Sequence, residues 1–231
     1  ETCGAVAAYD QGTGKFTIHA NTSMYNYVGW LIAVSLNVPS HRVNIVPTLA
    51  GGSFGSKLFL HRVPTLAATL ARASGRPVKF IEDRLDNMMN SDSHASDRVY
   101  YGKMAVKDGM MTGLRFRVVD DYGAYLQFGY GTHGNALSQA TGPYKISSVD
   151  MELVAVFTNK CQQGAYRGFG SEVMNFLVER LADAAIEMLG EDPLVFRRRN
   201  FIEPEEFPYV IPTGNLYDSG NYPKVLDKAA E

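Results

Sequence analysis

The chain has 231 residues, enough for one large domain or two small ones and for a sizeable core. Hydrophobic residues make up 45% and charged residues 20%, the ordinary balance of a globular protein. A net charge of −2 removes the electrostatic case for nucleic acid, and no apolar run is long enough to span a bilayer.

The first half of the chain alternates in pattern. Ala5 to Tyr9 and Phe16 to Ala20 read as strands joined by the turn Gln11-Gly12-Thr13-Gly14. Tyr27 to Leu36 reads as a helix that stops before Pro39. Val43 to Val46 is a short strand leading towards Gly51. Pro64 to Ala73 is a helix of small and apolar residues ended by Ser74-Gly75, and Val78 to Ile81 reads as a buried strand. Arg98 to Val106 and Met110 to Asp121 are longer strands, with Lys107-Asp108-Gly109 as the hairpin signal between them. Met151 to Thr158 is a further strand. Val173 to Leu189 carries apolar residues at helical spacing (Val173, Phe176, Leu177, Leu181, Ala184, Ala185, Met188) and is closed by Gly190. Pro193 opens a shorter helix bearing Arg197-Arg198-Arg199, and the tail beyond Glu203 reads as loop. Without a regular βαβ rhythm the fold class is α+β. Residues 1–231 read as one domain, with a subdivision expected in Asn90-Ser91-Asp92-Ser93-His94.

Two segments carry the chemistry: Gly51-Gly52-Ser53-Phe54-Gly55-Ser56-Lys57 and Gly164-Ala165-Tyr166-Arg167-Gly168-Phe169-Gly170. Each sets an aromatic between glycines, which admit backbone angles closed to other residues and let a ligand approach the main chain. Successive N–H groups in such loops form anion-binding concavities. Their shared composition predicts that the two loops converge. The bland alternative for the first is a tight strand-to-helix loop with Phe54 in the core. A phosphate-binding P-loop is excluded, because Ser56 stands where the glycine is needed and Leu58 where the magnesium-binding hydroxyl is needed. Gly129-Tyr130-Gly131-Thr132-His133-Gly134 has the letters of a dinucleotide fingerprint, but Gly142-Pro143 ends any following helix too early, so it reads as a mobile loop. The five histidines lack metal-ligand spacing. Asp120 and Asp121, adjacent on a strand, face opposite ways. Arg197 to Arg199 reads as an interdomain or subunit salt-bridge surface. Arg167 reads either as part of a ligand loop or as an arginine paired to a carboxylate. Cys3 and Cys161 are too few to ligate an iron–sulfur cluster by themselves and read as reduced thiols, which favours a cytoplasmic location. The chain opens on Glu1 and is expected to be an excerpt.

These segments resemble the molybdenum-binding large subunit of the xanthine dehydrogenase/aldehyde oxidase family. GGSFGSK resembles that family's GGxFGxK loop and GAYRGFG its AxRGFG loop. Gly142-Pro143-Tyr144-Lys145-Ile146, the opening Glu1-Thr2-Cys3-Gly4-Ala5-Val6-Ala7, Arg197-Arg198-Arg199-Asn200-Phe201-Ile202 and Thr213-Gly214-Asn215-Leu216-Tyr217-Asp218-Ser219-Gly220 match in the same order. The resemblance implies a molybdopterin-type molybdenum cofactor, with the metal held by the pterin and not by side chains. It implies hydroxylation of an electron-poor carbon with water as the oxygen source. Electrons would pass to [2Fe-2S] clusters and FAD on other domains or subunits of an oligomer. It assigns cofactor contacts to Gly52, Ser53, Phe54, Gly55, Arg167 and Gly168, with Phe54 and Arg167 near the metal, and the substrate pocket to Ala165 and Phe169.

Three positions depart from the pattern. Ser23 occupies the place of a metal-proximal glutamine. Leu58 and Asn135 occupy the places of the glutamate and arginine that orient a purine in other members. With Leu58 and Asn135 in the pocket, the resemblance implies an aldehyde or an aromatic N-heterocycle rather than xanthine. The family's catalytic glutamate lies in a later segment, so these residues are not expected to turn over substrate by themselves. The competing expectation is a family-fold domain that has lost the cofactor and serves assembly or partner binding.

Overall fold

Asp10 sets the first hairpin. Its carboxylate accepts from the N–H groups of Gly12 and Thr13 and from the Thr13 hydroxyl, reversing the chain between β1 (Gly4–Asp10) and β2 (Lys15–Ala20). In the computed structural model, which describes residues 2–58, 60–90, 97–126 and 129–231, the chain divides into two compact units. One comprises Glu1–Ala95 and Lys160–Arg167; the other comprises Ser96–Asn159 and Gly168–Glu231. The expected subdivision at 90–94 falls largely outside the described residues.

The first unit is a four-stranded sheet ordered β3-β2-β1-β4. β1 pairs antiparallel with β2 and with β4 (Val78–Ile81), and β2 pairs parallel with β3 (Val43–Pro47). Strict alternation on β2 buries Phe16, Ile18 and Ala20 against α1 (Tyr25–Leu36) and α2 (Arg62–Ser74). Ala67, Ala68 and Ala71 are fully buried, small enough to let α2 lie close to β1. α2 ends on left-handed Gly75, as its sequence predicts. The strand expected to be buried at 78–81 is instead an edge strand with Ile81 exposed. A short continuous apolar run does not distinguish the two cases. A short helix, α3 (Arg84–Asn90), follows β4.

In the second unit, β5 (Asp97–Lys107) and β6 (Met110–Asp121) form the expected hairpin. Asp108 and Gly109 both adopt positive φ, as a type I′ turn requires. β7 (Ser148–Val156) pairs parallel with β6, which is the central strand. Gly129 to Gly134, expected as a mobile loop, belongs to helix α4 (Gly129–Leu137). Tertiary anchoring, described below, overrides the low helix propensity of its glycines.

Helix α5 (Ser171–Leu189) packs on β5. Its buried seam is Met174, Leu177, Val178, Ala182 and Ile186, while Phe176 and Met188 are exposed. The helix bears apolar residues on more than one face; of those at the expected spacing, Leu177 is buried and Leu181 and Ala185 pack against the core. α6 (Pro193–Asn200) starts on the Asp192 cap, which accepts from the N–H groups of Leu194 and Val195. Its arginines pair within the unit: Arg197 with Glu179 and Asp183, Arg198 with Asp227, Arg199 with Glu191. The salt bridges expected of this run are thus made within the unit among the described residues. Asn200 is fully buried; it accepts from the Met111 N–H and donates to the carbonyls of Gly109 and Phe196. Burial and a hydrogen bond to Glu179 push the Tyr144 hydroxyl far above the ordinary phenol range. The tail is not loop throughout. After the pair β8 (Tyr209–Val210) and β9 (Leu216–Tyr217) it ends in α7 (Tyr222–Ala230), capped by Asn221. No helix among the described residues is long and apolar enough to cross a membrane.

Candidate functional site

In the first unit, the segment after β3 is closed by its own lysine. Lys57 is 1% exposed, and its ammonium donates to the Ala50 carbonyl seven residues back. Its own carbonyl accepts from the Thr22 hydroxyl and the Ser23 N–H, both at 3.0 Å. The turns within are tight: Ser56 N–H bonds to Ser53 O, and Leu58 N–H to Gly55 O, each at 3.0 Å. Phe54 sits at φ +49° and Gly55 at +103°. Ser23 reaches the same loop, its hydroxyl 2.9 Å from that of Ser53. Leu58 is half-buried.

The Gly164–Arg167 segment lies against this loop. A Cβ on Gly55 would stand 2.2 Å from the Ala165 carbonyl oxygen, so only glycine permits the approach. The Arg167 guanidinium lies over the Phe54 ring, 4.9 Å from its centroid, within cation–π range. Among the described residues Arg167 has no carboxylate partner. Phe54 is 57% exposed, which rules out the core alternative for that ring. Ala165 is buried. The expected convergence is thus seen for Ala165 and Arg167.

The division between the units falls between Arg167 and Gly168. In the second unit Gly168, Phe169 and Gly170 have φ of +95°, +49° and +97°. The Asn135 amide lies 3.2 Å from Gly168 O, 3.1 Å from Phe169 O and 2.8 Å from the Ser171 hydroxyl. It serves as the brace of this turn. Glu172 accepts from the Gly170 N–H at 2.9 Å.

The donor set fits an anionic or oxo-bearing group. In the first unit the main-chain N–H groups of Ser53, Phe54, Gly55 and Arg167 have no acceptor among the described residues, whereas the carbonyls of Ala50, Ser53, Gly55 and Lys57 are engaged. In the second unit the Gly168 N–H has none, and the carbonyls of Gly168 and Phe169 are engaged. Sequence reasoning does not find Lys57 as the closing residue, nor Thr22, because both act through contacts remote in sequence. The brace formed by Asn135 is equally invisible there.

Residues 1–201 match the family model of the molybdopterin cofactor-binding domain. The chain is 34% identical over its full length to the carbon monoxide dehydrogenase large chain of Hydrogenophaga pseudoflava, of which it covers 29%. It is 29% identical, again over its full length, to the nicotine 6-hydroxylase large subunit of Paenarthrobacter nicotinovorans, covering 29% of that protein. The solved structure of quinoline 2-oxidoreductase from Pseudomonas putida 86 superposes with a TM-score of 0.92 at 35% identity, over 99% of this chain and 29% of that one. The chain belongs to the molybdopterin cofactor-binding domain family of the molybdenum hydroxylases, and its α+β fold is theirs. It spans less than a third of the length of these three relatives.

Proposed function

We propose that this chain is the cofactor-holding part of a longer, cytoplasmic molybdenum hydroxylase that oxidises an aldehyde or an aromatic N-heterocycle. The observation that carries the reading is the set of main-chain N–H groups at Ser53, Phe54, Gly55 and Arg167 of the first unit that have no acceptor among the described residues. Those donors suit the anionic and oxo groups of a molybdopterin-type cofactor. When bound, that cofactor supplies a metal that activates water and accepts the electrons of the oxidation.

The chain's own residues position and exclude. Gly52 and Gly55 let the main chain approach, the Ser23–Ser53 hydroxyl pair offers polar contacts beside it, and Arg167 keeps the Phe54 ring in place as an apolar wall. Leu58, Asn135, Ala165 and Phe169 are assigned to the substrate side. Leu58 carries no charge, and Asn135 is engaged with loop carbonyls. A purine loses there the charge-assisted hydrogen bonds, each worth about 1.5–3 kcal/mol, that orient it. The likeness to quinoline 2-oxidoreductase supports a flat heterocycle. The catalytic glutamate is assigned to a later part of the subunit, and [2Fe-2S] and FAD partners to an oligomeric complex. The naming of relatives as large chains and complex subunits supports that assembly.

The test uses the protein expressed from its complete reading frame. Molybdenum per chain is measured first, then kcat/KM for quinoline, an aromatic aldehyde, xanthine and carbon monoxide with one artificial electron acceptor. Stoichiometric molybdenum with quinoline or the aldehyde preferred is the expected result. Preference for xanthine or carbon monoxide overturns the substrate assignment. A folded protein without molybdenum overturns the cofactor reading and favours an assembly role.

A further inference from the structure

Helix α4 grips the Gly168–Gly170 turn at two points. Asn135 reaches the carbonyls of Gly168 and Phe169 through its amide. The Thr132 carbonyl lies so close to Gly170 that a Cβ there would stand 2.1 Å from the oxygen. Gly129, Gly131 and Gly134 make α4 a poor helix by itself, so whatever fixes α4 also fixes the turn.

The fixing element is a buried ionic network. The Asp120 carboxylate on β6 takes the Arg98 guanidinium of β5 at 3.0 Å and the His133 Nε2 of α4 at 2.5 Å. Arg98 also donates to the Thr132 hydroxyl. The side chains of Arg98 and Asp120 are 1% and 0% exposed, and that of His133 is 8% exposed. Tyr122 stacks on His133, with ring centroids 5.9 Å apart. A buried ion pair is a poor source of stability compared with apolar packing of equal volume. Here its geometry serves placement, since it ties two strands to consecutive residues of one short helix.

We infer that Arg98, Asp120 and His133 are positioning residues that hold α4 and, through Thr132 and Asn135, set the conformation of the Gly168–Gly170 turn. Their effect on the cofactor rests on the reading that this turn contacts it. The network fixes carbonyls and leaves the Gly168 N–H for a ligand.

The experiment compares His133→Phe, which keeps the ring volume but loses the N–H, with His133→Gln, which keeps a donor at similar reach. Thr132→Val, which loses only the hydroxyl partner of Arg98, is the second probe and decides the matter if His133→Phe fails to fold. All are made in the complete reading frame. Hydrogen exchange of the peptide spanning Gly168–Ser171 and molybdenum per folded chain are both read. His133→Phe and Thr132→Val should speed exchange in that peptide ~10-fold through local opening and lower the metal content, and His133→Gln should restore both. Parental exchange in both His133→Phe and Thr132→Val overturns the inference. So does His133→Gln behaving like His133→Phe, which would mean that ring packing holds the helix. Faster exchange with undiminished molybdenum upholds the positioning role and overturns only the assignment of the turn to the cofactor.

Discussion

Replacing Gly55 by alanine separates the loop's geometry from its composition. Two costs follow from the structure. Gly55 sits at φ +103°, a region that L side chains rarely enter, and holding alanine there costs about 1–3 kcal/mol. The new Cβ would also stand 2.2 Å from the Ala165 oxygen and 2.6 Å from its carbonyl carbon. Both are main-chain atoms, so neither can swing aside. Reaching ordinary contact requires the segments to part by ~1 Å or more. Parting them loosens the Arg167–Phe54 stack, which is worth about 0.5–1 kcal/mol at an exposed site. Together the change costs ~2–4 kcal/mol, concentrated in one loop pair of a protein whose stability is expected to be ~5–15 kcal/mol. Gly52→Ala is the contrast. Its Cβ meets the Cε2 of the Phe54 ring at 2.4 Å, the outer edge of an exposed side chain that can turn away. Molybdenum per chain and thermal unfolding of the complete protein report the outcome. Gly55→Ala should lose most of its molybdenum and melt earlier, and Gly52→Ala should keep its melting temperature. A Gly55→Ala protein with parental metal content and melting temperature would refute the argument that backbone approach builds this site.

Two further outcomes test the packing and the charges. A Cβ on Gly134, within α4, would meet nothing inside 4 Å, so Gly134→Ala should stabilise the protein by about 0.5–1 kcal/mol; a lower unfolding midpoint in denaturant would contradict it. The hydrogen bond from Arg197 holds the Asp183 carboxyl below its ordinary pKa. A depressed folded pKa gives stability that is present above the unfolded value, about 3.9, and lost as pH falls through the folded one. With the Asp183 side chain 44% exposed, the contribution is only ~0.5 kcal/mol after solvent screening. Asp183→Asn should therefore be slightly less stable than the parent at pH 7, with the gap closing below about pH 4; a gap independent of pH would exclude this origin.

The strands and main helices are legible because their cues are local. Alternation on β2, Asp108-Gly109 after β5, and Gly75 and Gly190 as helix stops each act within a few residues. The errors arise where distant contacts decide. Which apolar residues of α5 are fully buried depends on its contact with β5, which local spacing does not show. The anchors of α4, Arg98 and Asp120, lie on strands well before it and reach Thr132 and His133, where no local pattern points to them. α7 had a readable signal, Asn221 as cap with Pro223 in the first turn, obscured by the turn-rich residues around it. The two glycine loops stood out by composition, whereas the residues that brace them did not. Lys57 looks like any surface lysine until its ammonium is found buried on Ala50 O.

Both loops reach the same chemical state by the same route. A loop has donors and acceptors in equal number, so glycine alone gives it no preference for anions over cations. The preference comes from spending the acceptors. In the first loop Ala50 O is taken by Lys57, Ser53 O by Ser56, Gly55 O by Leu58, and Lys57 O by Thr22 and Ser23. In the second, Gly168 O is taken by Asn135 and the Ser171 N–H, and Phe169 O by Asn135. Among the described residues the N–H groups of Ser53, Phe54 and Gly55 in the first loop and of Gly168 in the second have no acceptor. On the proposed reading, Lys57, Thr22 and Asn135 bias these loops toward an acceptor-rich ligand by engaging their carbonyls. At Asn135, where the resemblance expects an arginine, the structure has a brace: the amide reaches the carbonyls of Gly168 and Phe169 and so fixes its own turn.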